Sequence, residues 1–477
     1  MRQFPAKEFE EFVKGVMAEH KIPGVSVSVI DRGEVIYKKG FGYRDEERGL
    51  PVTPSTIFGV ASVTKSFSAL AIMQLAESGR LSLQDPVRKY IPGFDLPGGG
   101  GGKAVTIHHF LTHTASLPPL PTLGYSIRGN TKPDPETAAK EDPEKDADKS
   151  AEPENPMQPI NTYDELTAFI RNGDFKLLGK PGEYCSYSND GYALLGVIIE
   201  AASGEEYEDY MRKHILSPLE MGRSNFDLEW LHKRADVTHL YYKDEDQNIK
   251  HSSNWQVAPP FVPCGWLKST VTDLANYLCM HAGGGVLGGR RLLSPGGIAT
   301  MRGQHAPYSR DRSYGYGLSS LRDYHGVTLV EHSGGLKGVA SNIGYVPEEH
   351  VGVAVLTNLS GAPSGMIWLG AVNLLLGLPV DTLRSEYRRE PWPEAELLPR
   401  TGKFVSGEGA KITIAAEEGK LMASIAKEKH EILRDTAEFG VVTVKGQDTE
   451  VRFRFGADGK LWAVGWGGRI IHKVSEA

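Results

Sequence analysis

The sequence predicts an α+β fold: an antiparallel sheet flanked by helices, an all-helical region, and a small C-terminal antiparallel β-barrel. Three observations carry this. Alternating apolar runs near Val25 and again near Ile343 read as sheet strands, helical apolar spacing lies between them, and short alternating runs separated by turn signals follow Thr382.

Phe9, Phe12, Val13, Val16 and Met17 have the spacing of an amphipathic helix. Val25, Val27 and Val29 alternate with serines, and Asp31-Arg32-Gly33 turns the chain into a second run, Val35 to Phe41, which makes a hairpin. Ala61 to Glu77 reads as a helix stopped by Gly79. It is apolar almost all round (Phe67, Leu70, Ile72, Met73, Leu75), as a helix buried in a domain centre must be. Gly191 to Ala202 reads as a further helix. Ile343 to Val346 and Gly352 to Thr357 read as strands, with a helix around Leu369 to Leu376 after them. This pattern places the helices on one side of the sheet. Glu386 to Pro399 has the look of a linker. Beyond it lie Ile412 to Ala416, Leu421 to Ile425, Val441 to Lys445, Val451 to Phe455 and Leu461 to Gly465, with turns at Glu418-Gly419, Asp458-Gly459 and Gly467-Gly468. The expected division is a first domain over 1–381, a linker over 382–399 and a barrel over 400–477.

Two stretches stand outside this scheme. Gly98 to Gly102 is a run of glycines with no strand–helix frame, hence a flexible loop and no phosphate cradle. Residues 130–155 carry nine acidic and four basic side chains and nothing apolar beyond alanine and proline, so they are expected to form a solvated, flexible insertion. Their local charge of −5 supplies most of the net −7, leaving a nearly neutral body and no basic footprint for nucleic acid. The longest apolar stretch, Ile367 to Val380, is broken by Asn373 and falls short of the ~20 residues of a membrane span. No signal peptide is read at the N-terminus, and three scattered cysteines (Cys185, Cys264, Cys279) suit free thiols in the cytoplasm.

The chemistry begins at Ser62-Val63-Thr64-Lys65. Residues three apart share a helix face, so the Lys65 amine can approach the Ser62 hydroxyl and assist its deprotonation. A serine near a helix start also offers backbone N–H groups to a developing oxyanion. The same S-x-x-K spacing at Ser424 to Lys427 lies in a strand and carries no assignment. Tyr187-Ser188-Asn189 follows a Pro181-Gly182 turn and precedes a helix; a tyrosine beside a cation can exchange protons, and the Asn189 amide can bond both Lys65 and a substrate carbonyl. His332-Ser333-Gly334-Gly335 precedes the strand pair and can lie on a sheet edge, where the Gly335 N–H could join that of Ser62 in an oxyanion hole. His109 and His113 have the i, i+4 spacing of zinc ligands, but a glutamate after His109 and a third ligand are missing from the motif. Cys185 reads as a buried spectator beside Tyr187.

Taken together, S-x-x-K, Y-x-N and H-x-G in this order resemble the serine β-lactamase and penicillin-binding-protein superfamily, in its class C-like branch, peptidase family S12, which includes D-aminopeptidases, alkaline D-peptidases and esterases. Ile107 to Thr114, Ile215 to Gly222, Ser269 to Leu278 and Tyr314 to Gly317 support it, and the trailing barrel resembles the lipocalin-like unit of archaeal, self-compartmentalising members. The resemblance implies a β-lactamase-like fold, Ser62 as nucleophile, Lys65 as its activator, Tyr187 as the proton carrier to the leaving group and His332 as its support. It further implies Ser62 and Gly335 N–H groups as the oxyanion hole and Asn189, Ser333 and Gly334 as substrate contacts. No cofactor or metal is implied. The expected partners are a short peptide, amide or ester, D-residues included, and further copies of the chain. Where β-lactamases and carboxypeptidases of that superfamily carry lysine, this chain has His332. A largely neutral imidazole weakens recognition of a carboxylate, so amino-end peptidase or esterase activity is expected over action on β-lactams. An acyltransferase or peptide cyclase using the same ester, and a catalytically silent binding protein, are the competing readings.

Overall fold

The structure, a computed structural model, describes residues 2–99, 101–129, 159–244, 246–425, 428–444 and 447–474. The acidic insertion at 130–155 lies outside them, as do Lys427 and Lys445.

The N-terminal helix α1 (Ala6–His20) leads into the hairpin of β1 (Gly24–Asp31) and β2 (Glu34–Asp45). Helix α2 (Thr64–Glu77) follows, then α3 (Asn189–Ser203) and α4 (Val271–Ala282). Strands β3 (Ser319–Tyr324), β4 (Val327–Leu336), β5 (Val339–Val346) and β6 (Val351–Thr357) and helix α5 (Ser364–Leu375) return the chain to the sheet. Nine strands pair in the order Ala306–Pro307, Arg312–Tyr314, β3, β4, β5, β6, β1, β2, Leu50–Pro51, all neighbours of the core antiparallel. Strand β1 therefore sits inside the sheet although it comes first in the chain.

Helices cover both faces of this sheet, where the sequence pattern placed them on one. Val25, Val27 and Val29 pack with Phe9, Val13, Ile367 and Trp368 of α1 and α5. The intervening serines are buried on the other face, where Ser28 Oγ donates to Val271 O of α4 at 2.8 Å and Ser26 Oγ to Thr53 O at 3.2 Å. Two-residue alternation separates the faces but does not say that one of them is wet. The all-helical region packs in a second, larger core with α2 at its centre. The helix read from Ala61 is two pieces: a 3₁₀ turn, Ala61–Val63, that carries Ser62, and then α2. Ala61 has φ 47°, a left-handed conformation uncommon without glycine, and it turns the chain sharply into the helix.

The C-terminal strands are antiparallel but form two sheets, one of four strands from Gly402–Val405 to Glu428–Glu431 and one of five from Leu433–Arg434 to Arg469–His472. They enclose one core, including Phe404, Ile414, Leu421, Val442, Phe453 and Ile471, yet the ladder breaks at Ile432 and no closed barrel is formed among the described residues. Trp392 and Leu397, in the stretch read as a linker, fill the same core. Gly98–Gly102, expected as a loop, is bounded by short 3₁₀ turns at Pro97–Gly99 and Gly102–Ala104. Among the described residues no helix is long and apolar enough to cross a membrane.

Phe67 stacks on Tyr277 with ring centroids 3.9 Å apart and is wholly buried. Phe67→Ala is expected to lower stability by about 3–5 kcal/mol, because the helix that carries Lys65 cannot collapse onto the vacated space; chemical denaturation measures it.

Candidate active site

Ser62 is half-buried at the mouth of the 3₁₀ turn, and the fully buried Lys65 stands one turn further on. Lys65 Nζ donates to Ser62 Oγ at 3.2 Å, to Asn189 Oδ1 at 2.9 Å and to Cys264 O at 2.8 Å. These three acceptors use every N–H of an ammonium and aim one of them at the hydroxyl. Asn189 is the first residue of α3, and Ser188 caps the helix by accepting from Gly191 N at 3.2 Å. The Tyr187 ring lies with its centroid 4.8 Å from Lys65 Nζ. Among the described residues the Tyr187 hydroxyl has no hydrogen-bond partner, and Tyr187 lines the same cavity as Ser62, Asn189, His332 and Gly335. That cavity measures about 1280 Å³.

His332 to Gly335 occupy the end of β4. The strand is interior, not a sheet edge, but β3 pairs with it only as far as Glu331, so from His332 onward its outer side is free. The hairpin to β5 closes with Leu336 opposite Val339. By the alternation of an antiparallel pair, Gly335 N–H then points away from β5, toward the cleft. Ser62 N–H, in the first turn of its helix, has no intrahelical acceptor. Gly334 is squeezed against the Ser62 turn: a methyl group there would meet Val60 O at 2.3 Å and Ser62 N at 2.9 Å. Ser333 and Gly335 are exposed in the cleft. The two N–H groups and the hydroxyl can thus address one carbonyl, the arrangement for attack on an acyl group.

The sequence model of the beta-lactamase family matches residues 9–374. The chain belongs to that family. Protein flp of Staphylococcus aureus strain MW2 is 27% identical over 365 residues, covering 74% of this chain. The chain spans 63% of the length of that relative. Penicillin-binding protein 4 of Amycolatopsis lactamdurans is 28% identical over 363 residues, 74% of this chain and 86% of that one. Among solved structures, the octameric penicillin-binding protein homologue from Pyrococcus abyssi is 34% identical with TM-score 0.69, covering 98% of this chain and 100% of its own. SurE, at 21% identity and TM-score 0.70 over 98% of this chain and 100% of its own, shares the fold.

Members of the beta-lactamase family are in general serine hydrolases, and the electrostatics here suit that. His332 Nδ1 lies 2.6 Å from Ser333 O and Nε2 lies 2.8 Å from Tyr314 Oη. A carbonyl only accepts, so Nδ1 carries the proton and Nε2 accepts from the tyrosine: a neutral ring. Burial, and after it the Lys65 charge, push the imidazole down to about 4. Its ring centroid is 6.1 Å from that of Tyr187, so it meets Tyr187 through packing, while its hydrogen bond goes to Tyr314. Tyr314 to Gly317 gain a purpose here. Gly317, at φ 68°, approaches α2 so closely that a methyl group would meet Lys65 O at 2.7 Å.

His109 and His113 do not form a metal pair. His109 Nδ1 accepts from Thr106 N at 3.0 Å as a helix cap, and His113 Nδ1 accepts from Ser188 N at 3.1 Å. Burial pushes the Cys185 thiol up to about 12, and its S–H donates to Thr112 O. Several cavity residues had no signal in the sequence. Arg469, from the last strand, stacks its guanidinium 4.6 Å from the Tyr187 ring centroid and pairs with Glu408 at 2.7 Å. Arg384 and Arg312 share the carboxylate of Glu331 at 2.9 and 3.4 Å. No local motif marks them, because each meets the site only through a distant turn of the chain.

With His332 held from the usual 6.5 down to about 4, the unfolded chain takes this proton first. Stability is full above the ordinary value and falls as the pH drops from 6.5 to 4. His332→Gln is expected to reduce that slope by about 1.4 kcal/mol per pH unit, read from denaturation midpoints across this range.

Proposed function

We propose that this chain is an S12-like serine peptidase or esterase that forms an acyl-enzyme on Ser62 and acts on short peptides, amides or esters, D-residues included. The carrying observation is the 3.2 Å approach of Lys65 Nζ to Ser62 Oγ, with the other two N–H bonds of the amine anchored on Asn189 Oδ1 and Cys264 O. Ser62 Oγ attacks the carbonyl carbon; its proton passes to Tyr187 and on to the leaving amine or alcohol as that bond breaks. The N–H groups of Ser62 and Gly335 hold the oxyanion. Water, deprotonated along the same route, then attacks the ester and restores Ser62. Ser333 and Gly334 at the end of β4, and Asn189 at the start of α3, contact substrate. His332 holds the cleft wall through Tyr314.

A neutral His332 provides no charge for a substrate carboxylate, which favours amides with a free amino end and simple esters. A second reading follows from Arg384 and Arg312, two guanidinium groups that share the one carboxylate of Glu331 at the cavity wall. Their surplus charge favours a substrate ending in a carboxylate. Comparing hydrolysis of one dipeptide as its free acid and as its amide separates the two readings.

The C-terminal unit, taken as lipocalin-like from about residue 400, is proposed to restrict the cleft to small substrates; Gly407, Glu408, Gly467 and Arg469 stand on the cavity wall. By likeness to the octameric homologue from Pyrococcus abyssi, we propose a homo-oligomer. Transfer to an added amine in competition with water would mark the acyltransferase alternative; SurE, solved with D-Leu, has the same fold.

Intact-mass measurement after exposure to a fluorophosphonate or a p-nitrophenyl ester tests the reading. A single adduct on the native chain and none on Ser62→Ala is expected. Lys65→Ala is expected to slow acylation by about 10²- to 10⁴-fold. An adduct that persists in Ser62→Ala would refute it.

A further inference from the structure

We propose that His113 is a positioning residue for Tyr187, holding the phenol in register with Ser62 by clamping the backbone on both sides of it. The inference rests on the proposed role of Tyr187 in proton transfer. Three consecutive N–H groups of that loop are pinned. Ser186 N donates to His113 O at 2.9 Å, Tyr187 N to Gly468 O at 2.9 Å, and Ser188 N to His113 Nδ1 at 3.1 Å. One residue thus makes both flanking contacts, and the C-terminal unit makes the middle one. The imidazole also packs against the phenol at a tilt of 38°, ring centroids 4.3 Å apart, with Tyr314 at 4.4 Å and Tyr192 at 5.0 Å.

Two features show that packing alone does not account for a histidine here. Its backbone is left-handed, φ 58°, which a residue with a side chain adopts seldom and which aims the carbonyl at Ser186. With Nδ1 accepting from Ser188, the ring proton is on Nε2, and that nitrogen is buried with no hydrogen-bond partner among the described residues. A buried, unpaired donor is costly, and a phenylalanine would fill the same space without it. What phenylalanine cannot do is accept the Ser188 N–H. Burial, and after it the nearby charges of Lys65 and Arg469, hold the ring well below its ordinary value, so Nδ1 stays available as an acceptor.

Asparagine tolerates the left-handed backbone and can present an oxygen near the Nδ1 position; phenylalanine and alanine cannot accept at all. With a p-nitrophenyl ester as probe, His113→Phe and His113→Ala are expected to lower kcat about 10- to 100-fold with KM little changed, and His113→Asn to restore most of it. Thermal melting of each variant reports folding, and either of the first two suffices. The decisive measurement is made in the Tyr187→Phe background, where His113→Phe is expected to cost nothing further. If Tyr187→Phe itself leaves kcat unchanged, the role given to the phenol falls. If it lowers kcat but the His113 loss multiplies on top, or if His113→Asn fails to rescue, the clamp is wrong and the phenol's role stands.

Discussion

A buried amine bonded, among the described residues, only to neutral oxygens organises this structure. Lys65 is sealed from solvent, and the hydrogen-bond partners of its amine are three neutral oxygens, on Ser62, Asn189 and Cys264. Taking an ammonium out of water is expensive unless each of its protons finds an acceptor. The site therefore has to bring together three chain segments: the 3₁₀ turn before α2, the first residue of α3, and the turn Val262–Gly265. Losing any one acceptor leaves a buried proton unpaired. Satisfying the amine and aiming it at the hydroxyl are one and the same geometric act, so the fold's stability and its chemistry share this constraint.

Around that centre, small residues set the distances. Gly334 brings β4 against the Ser62 turn and Gly317 brings the Tyr314–Gly317 segment against α2; a methyl group at either would collide with backbone. Ser341 Oγ donates to Val60 O at 2.7 Å and ties β5 to the same turn. The sheet thus presses on both ends of the Ser62–Lys65 turn, and a shift of β4 moves the Gly335 N–H and Ser62 together.

What was legible in the sequence is what is local. Ser62 and Lys65 are one helical turn apart, Tyr187 and Asn189 straddle a capped helix start, and the alternation of Val25, Val27 and Val29 marks a strand. Each follows from backbone periodicity within a few residues. The 3₁₀ start at Ala61 escaped because the apolar pattern continues across it, and the covering of both sheet faces escaped because Ser26 and Ser28 look polar while being buried. Five of the nine antiparallel C-terminal strands among the described residues were visible from their alternation and turns; Gly402–Val405, Glu428–Glu431, Leu433–Arg434 and Arg469–His472, all short, were not. The break of these strands into two sheets was not visible either, since nothing in Glu431-Ile432-Leu433 marks a stop, yet there the Ile432 N–H donates to Leu421 O. Least legible were contacts across hundreds of residues: nothing near Tyr187 announces Gly468 or Arg469.

Those last contacts change what the C-terminal unit is. A module attached only by a linker would leave the cleft unaffected if displaced. Here Gly468 O receives the Tyr187 N–H, Ser186 Oγ receives Ile470 N–H at 3.0 Å, and Leu178 packs with Ala463 and Ile470. Arg310 reaches Asp435 at 2.9 Å from the other side. The strand Arg469–His472 is thereby stitched to the very loop that carries the phenol, and Arg469 covers the phenol's ring. Displacing this unit would strip a backbone acceptor and a cation from Tyr187 at once. The phenol loop is consequently held between His113 on one side and the final strand on the other, and the position of the Tyr187 phenol is a property of the whole chain.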